Sequence, residues 1–341
     1  MQTRLTTELL STAAGREVEQ ILRSCVHCGF CTATCPTYQL LGDELDGPRG
    51  RIYQIKQLFE GAPPSVSLQQ HLDRCLLCRA CETTCPSGVA YGRLLENGRN
   101  QLERVQTRKT FDRVQRYLLR KILPYPQRFK LLLLSARPFK RLLPDNIGEN
   151  IPKLDPVLDS WPESRHTRRM LILDGCVQPG LAPSINQAAA RVFERLGISL
   201  IKAQEAGCCG AVNLHLGDEE NARHFARQNI DAWWPHLEAG AEAILSTASG
   251  CGQMLKDYDH LLASDPRYAQ KAKRVAHASR DIAEILGNED LGALKTQLDT
   301  AKRIAFHAPC TLQHGQKLPG LVEQILTLSL IHISEPTRPR R

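Results

Sequence analysis

The chain has 341 residues, 44 Lys and Arg against 36 Asp and Glu, and 13 cysteines. That length suits two domains, or three, and can bury a core without covalent staples, while 42% hydrophobic and 23% charged residues exclude a disordered chain. An odd and high cysteine count excludes a pure disulfide framework and tilts toward metal.

The N-terminus, MQTRLTTELLSTAAGREVEQ, is interrupted by Arg4, Glu8, Arg16, Glu17 and Glu19. It has no signal-peptide core and reads as an amphipathic helix. No run of about 18 apolar residues follows anywhere, so no membrane-spanning helix is expected. A cytoplasmic location follows by default, with thiols reduced or metal-bound.

Eight cysteines form two blocks, Cys25, Cys28, Cys31, Cys35-Pro36 and Cys75, Cys78, Cys81, Cys85-Pro86, repeating at an offset of 50 residues. Each is the C-x2-C-x2-C-x3-C-P run that ligates 4Fe–4S clusters. Two residues between thiolates let one short loop wrap a cubane and supply three ligands. The fourth cysteine, before a proline that turns the chain away, ligates the other cluster. Cys25, Cys28, Cys31 and Cys85 are therefore expected on one cluster, and Cys75, Cys78, Cys81 and Cys35 on the other. Zinc normally uses separated C-x2-C pairs, which two intact four-cysteine runs do not resemble.

Between the blocks, Ile52, Ile55, Leu58 and Phe59 recur at helical spacing, and another helix is expected from about Tyr91. This half is read as helical around two clusters. Arg49 and Arg51 either lie near a cluster, where they would tune its charge, or sit on a solvated face, which is the reading preferred for each. From Arg99 to Arg141 thirteen Lys and Arg face two acids, a local net charge of +11 that leaves the rest of the chain at −3. Leu102, Val105, Phe111, Val114, Leu118 and Ile122 recur at helical spacing, predicting an amphipathic helix. Its basic face suits plain solvation, a partner subunit or the anionic membrane surface; no nucleic-acid module accompanies it, and none is expected as partner. Seven of the twenty prolines lie between Pro124 and Pro162, marking a linker.

A second domain is expected from residue 168. Strands are predicted at 169–174, 198–202 and 243–246, and helices at 184–196 and 218–237, an α/β alternation. Cys176, Cys208, Cys209 and Cys251 all follow strand ends, where such sheets place ligand sites. These four are either a further metal site, an iron–sulfur cluster or zinc, or buried small hydrophobes. RIAFHAPC, ending at Cys310, repeats RMLILDGC, ending at Cys176, at an offset of 134. The expected domains are 1–98 (helical, two clusters), 99–167 (basic helix and linker), 168–300 (α/β), 301–327 (start of a second, truncated copy) and 328–341 (foreign tail). The overall class is a helix-rich mixture: an α-helical ferredoxin-like domain plus an α/β Cys-Cys-Gly domain.

The strings CVHCGFCTATCPTYQLLGDELDGPRGRIYQIK, CLLCRACETTCPSGVAYGRLLENGR, EAGCCGAVNLHLGD and HAPCTLQHGQK resemble the iron–sulfur subunits of glycolate oxidase (glycolate dehydrogenase). Heterodisulfide reductase subunits share the Cys-Cys-Gly unit. The resemblance implies an electron-transfer subunit of an oxidoreductase complex, with no catalytic residues of its own. A flavoprotein partner, carrying the flavin, would oxidise glycolate to glyoxylate, and the electrons would pass through this chain to a quinone or another acceptor. It leaves as alternatives the equivalent subunit of a lactate or glycerol-3-phosphate dehydrogenase, or a thiol reductase. It also implies a cytoplasmic protein, peripheral on the membrane if the basic segment touches lipid. Ala248-Ser249-Gly250-Cys251 departs from the Cys-x-x-Cys ending common among heterodisulfide reductase relatives.

Overall fold

The computed structural model describes residues 1–138, 160–292, 294, 304–329 and 333–334. Parts of the expected linker (139–159), the start of the expected repeat (301–303) and most of the expected tail lie outside the described residues. The chain divides into two units, residues 1–114 with 313–317 and residues 115–312 with 318–341.

The first unit is helical among its described residues: α1 (Thr7–Ser11), α2 (Ala13–Ser24), α3 (Phe30–Ala33), α4 (Pro36–Leu41), α5 (Pro48–Phe59), α6 (Val66–Asp73), α7 (Ala80–Thr84) and α8 (Tyr91–Val105). The single N-terminal helix expected from the pattern is two. Thr12 divides it, its hydroxyl donating to the Leu9 carbonyl (2.7 Å) and accepting from the Gly15 N–H (3.0 Å), which closes one helix and caps the next. The core joins α2, α5, α6 and α8 through Val18, Leu22, Ile52, Ile55, Leu58, Phe59, Leu72, Leu94, Leu95 and Leu102. Each such side chain contributes about 1.5–3 kcal/mol on full burial. α8 presses on α5 so closely that a Cβ at Gly98 would sit 2.8 Å from Ile55 Cγ1.

Arg51 corrects the sequence reading. Its side chain is 1% exposed, not solvated, because the Asp46 carboxylate and the His71 carbonyl receive its guanidinium inside the fold. Arg49 is partly exposed and pairs with Glu44 at 2.6 Å.

The apolar residues from 102 to 122 do not form one helix. α8 ends at Val105 and α9 (Thr110–Ile122) begins after four intervening residues. Arg108, in the break, is buried and bonds Asp73 (2.5 and 3.0 Å), Asp112 (3.0 Å) and Glu103. α9 buries none of its residues, and Phe111, Val114, Tyr117 and Leu118 are exposed. α10 (Pro126–Ala136) follows. No helix among the described residues is long and apolar enough to cross a membrane.

The second unit is built on a parallel sheet ordered β2-β1-β3-β4, from β1 (Arg168–Ile172), β2 (Ile198–Ile201), β3 (Ile244–Ser246) and β4 (Ser279–Asp281). Met170 pairs with Leu200, Leu171 with Ile244, and Ile244 with Ser279. The helices in sequence are α11 (Gln178–Leu181), α12 (Ser184–Arg195), α13 (Ala211–His215), α14 (Glu219–Glu238), α15 (Ser249–Lys256), α16 (Tyr258–Leu261), α17 (Ala269–Ala278) and α18 (Ile282–Leu286). β1 alternates between two cores. Met170 and Ile172 meet Phe193 and Ala190 on one face, and Leu171 and Leu173 meet Trp233, Ile230 and Tyr258 on the other. A strand buried on both faces must read as a continuous apolar run, which is how RMLILD reads. β4 escaped the sequence reading because Ser-Arg-Asp carries no apolar pattern.

Candidate metal centre

The eight blocked cysteines lie around two cavities in the first unit. The first is lined by Cys25, Cys28, Cys31 and Cys85, together with Cys81. The second is lined by Cys75, Cys78, Cys81 and Cys35. Each cavity therefore receives three cysteines of one block and the fourth of the other.

The backbone repeats with the cysteines. His27 (φ 57°) and Gly29 (φ 86°) are left-handed, and so are their counterparts 50 residues on, Leu77 (φ 53°) and Arg79 (φ 57°). A left-handed side chain costs roughly 1–2 kcal/mol, which persists only where the surroundings dictate it. Such turns gather N–H groups into a nest that favours anionic sulfur; the His27 N–H already bonds the Cys25 sulfur. α3 and α7 pack together, and the equivalent Thr34 and Thr84 hydroxyls meet at 3.4 Å. The two halves are thus related about a local pseudo-dyad.

The thiols are crowded and shielded. Burial pushes Cys25 upward, and burial together with Cys25 pushes Cys31 to about 11. Burial, followed by Glu82, raises Cys81 further. Such groups give up their protons to a bound cation rather than to water.

Spacing separates the cation classes. A single zinc with Zn–S of about 2.3 Å needs sulfurs about 3.8 Å apart. Among the described residues, the group of three His, Cys, Asp or Glu ligand atoms within 4.8 Å of one another is Asp43, Asp46 and His71, with no cysteine in it. Among the described residues neither cysteine set brings three sulfurs that close together, and each gathers four thiols, the soft donors that hold iron–sulfur clusters, so the donor set fits such a cluster. The Asp43 group is an ion-pair network. Asp46 is fully buried and accepts from Arg51 Nη2 (3.2 Å), His71 Nδ1 (3.1 Å) and Arg74 Nη1 (2.8 Å). Burial pushes its carboxyl upward, but His71 and Arg74 hold it below the usual carboxylate range.

Three side chains at the second cavity were not singled out as sulfur contacts by sequence. Tyr91 is buried, lines both cavities and donates its hydroxyl to Cys75 Sγ at 3.6 Å. Burial, reinforced by Cys75, keeps its proton in place. Thr37 Oγ1 lies 3.2 Å from Cys35 Sγ, and Arg51 donates to Thr37 at 3.0 Å. Thr37 follows the Cys-Pro pair by one residue, a spacing that could have flagged it. Nothing local marks Tyr91.

In the second unit, Cys176 follows β1, Cys208 and Cys209 follow β2, and Cys251 lies in α15 after β3. These are carboxyl ends of strands beside the point where the strand order reverses. The sulfurs contact in sequence, Cys176 with Cys208, Cys208 with Cys209, and Cys209 with Cys251. The bond to Cys208, then burial, raises Cys176; Cys176 pulls Cys208 down, but Cys209 and burial push it up to about 12. Gly210 is left-handed (φ 90°), and a Cβ there would meet the Ala222 carbonyl at 2.9 Å. Asn229, fully buried, holds the loop: it accepts from the Gly207 N–H (2.8 Å) and donates to the Cys208 carbonyl (2.8 Å) and Tyr258 Oη (3.0 Å), while Tyr258 donates to the Cys209 carbonyl (2.9 Å). Cys310 is exposed.

Residues 21–89 match the 4Fe-4S dicluster domain family, and residues 170–256 match the Cysteine-rich domain family. The chain is 53% identical to the glycolate oxidase iron-sulfur subunit of Escherichia coli (strain K12), over 96% of this chain and 80% of that protein. It is 30% identical to the probable glycolate oxidase iron-sulfur subunit of Bacillus subtilis (strain 168), over 86% of this chain and 71% of that protein. It is 29% identical to lactate utilization protein A of an Exiguobacterium species over 43% of this chain and 57% of that protein. No solved structure matches it.

Proposed function

We propose that this chain, which belongs to the family of glycolate oxidase iron–sulfur subunits, carries electrons away from a flavoprotein partner that oxidises glycolate to glyoxylate, toward a quinone or another acceptor. The observation that carries this reading is the pair of cysteine cavities with crossed membership, spaced too widely for single zinc ions. Cys25, Cys28, Cys31 and Cys85 would hold one 4Fe–4S cluster, and Cys75, Cys78, Cys81 and Cys35 the other. A bound cluster supplies reversible one-electron storage, with a potential set by hydrogen bonds to sulfur, net charge and exposure.

The chain's own residues prepare that chemistry. The left-handed turns at His27, Gly29, Leu77 and Arg79 are of the kind that gathers N–H groups toward an anion, and the His27 N–H meets the Cys25 sulfur. Ile52, Val89 and Tyr91 wall the first cavity, and Thr37, Leu77 and Tyr91 the second. The walls limit water and raise the weight of each nearby dipole. No acid–base pair is needed here, since the hydroxyacid would be oxidised on the flavoprotein. The Cys176, Cys208, Cys209 and Cys251 string is a further candidate cluster site; the zinc alternative meets the same spacing objection there as at the first two sites. The exposed apolar face of α9, flanked by Arg113, Arg116, Arg120 and Lys121, suits docking against a partner subunit.

Anaerobic purification should give about eight irons per chain, as two 4Fe–4S clusters require, and a flavoprotein should co-purify. A chain holding zinc and no iron would refute the reading. The similarity to a lactate utilization protein keeps lactate as the second substrate reading, and turnover of the reconstituted complex on each acid separates the two.

A further inference from the structure

The two cysteine sites repeat in backbone but not in surroundings. Tyr91 stands 16 residues after Cys75 and donates to its sulfur. The residue at the same count after Cys25 is Leu41, which ends α4 rather than starting a helix, has no donor and is 47% exposed. Arg51 is buried and electrostatically coupled to Cys75 and Cys35. Around Asp46, Arg51 is 1% exposed whereas Arg74 is 41% exposed, so Arg51 is the sheltered cation at the second site. The first site's nearby cations are less sheltered. Arg49 is 39% exposed and paired with Glu44, and the Met1 ammonium bonds the Cys25 carbonyl rather than a sulfur. Glu82 near Cys81 opposes the trend at the second site, but its carboxylate receives the Gly92 N–H at 2.6 Å.

A donor to sulfur and a sheltered positive charge both favour the more negative, reduced form of a thiolate-held cluster. We propose that Tyr91, in the wall common to both cavities, is a positioning residue that sets the second site at a higher reduction potential than the first, so that an electron entering the pair comes to rest beside Cys75. The transfer balances simply. The flavoprotein partner would give up one electron, the first site would take it up and return to its starting state on passing it on, and the second would end reduced by one. No bond forms or breaks, and Tyr91 keeps its proton. This inference rests on the reading of both cavities as 4Fe–4S sites.

The test is a redox titration of the full chain, purified anaerobically with both sites filled and read by electron paramagnetic resonance, for wild type and Tyr91→Phe. Two midpoint potentials are expected in the wild type. In Tyr91→Phe, with unchanged iron content, the higher one should fall and the lower stay in place. The partition of one electron between the sites should change about tenfold, ~59 mV for a one-electron couple. Tyr91→Leu, which also removes the hydroxyl donor, gives the same readout if the Phe variant fills poorly. Unmoved potentials in a fully loaded variant overturn the inference, as does movement of the lower-potential signal. Loss of iron from both variants also overturns it, by making Tyr91 a residue of cluster assembly. Filled sites with unmoved potentials defeat this inference alone, whereas a wild-type chain without iron defeats the proposed function itself.

Discussion

Replacing Asp46 with Asn tests how the first unit is held together beside its cysteines. Asp46 is fully buried and receives Arg51, His71 and Arg74. The amide would keep the shape, remove the charge, and present an N–H2 group to at least one of these donors. Breaking a buried ion pair from one side costs about 3–5 kcal/mol, because the partner charge is left uncompensated. The lower end applies here. Arg51 keeps its bonds to the His71 carbonyl (2.7 Å) and Thr37 (3.0 Å), and Arg74, 41% exposed, can turn to water. About 3 kcal/mol is roughly a 100-fold change in the folding equilibrium, a large share of a typical stability of about 5–15 kcal/mol. A chain with bound metal need not unfold in two states, so the assay is comparative: the guanidinium midpoint for loss of iron to a chelator, with wild type and variants side by side. Arg51→Met combined with Asp46→Leu should recover much of the loss, since apolar replacement of a buried pair is often near neutral. Asp46→Asn within about 0.5 kcal/mol of wild type, or a double variant worse than the two single losses together, would refute the assignment.

Three further outcomes are expected. Asn229→Ala removes the support shared by Gly207, Cys208 and Tyr258; the orphaned buried groups should lower stability by about 2–4 kcal/mol, with Cys208 and Cys209 labelled faster by a thiol reagent, and unchanged labelling would contradict this. Gly98→Ala should destabilise by about 1–3 kcal/mol through overpacking on Ile55, with partial recovery in Gly98→Ala/Ile55→Val measured by thermal melts. Hydrogen bonding from Arg168 holds Glu289 below its ordinary value. Its stabilisation is therefore fully present above the unfolded carboxyl value of about 4.3 and is lost as pH falls through the lower folded value. Glu289→Gln should flatten that part of the stability–pH curve, and an unaltered slope would exclude the contribution.

The grouping of the cysteines was legible from spacing, because a short loop leaves so few arrangements: C-x2-C-x2-C-x3-C-P reads as three members of one set and the fourth of the other, and the two cavities are lined in that crossed way. The helical face of Ile52, Ile55, Leu58 and Phe59, and the two-sided burial of RMLILD, were likewise written in local periodicity. What only the tertiary structure decided are the contacts between distant segments. Arg51 reads as a surface charge until Asp46 and the carbonyl of His71, 20 residues away, enclose it. The run from Leu102 to Ile122 reads as one helix until Arg108 is drawn to Asp73, 35 residues back, and the helix breaks there. Tyr91 is one tyrosine among seven until the fold sets its hydroxyl against Cys75 between two near-identical cysteine sites. Local spacing can group the cysteines, but the charges and dipoles that surround each group arrive through space.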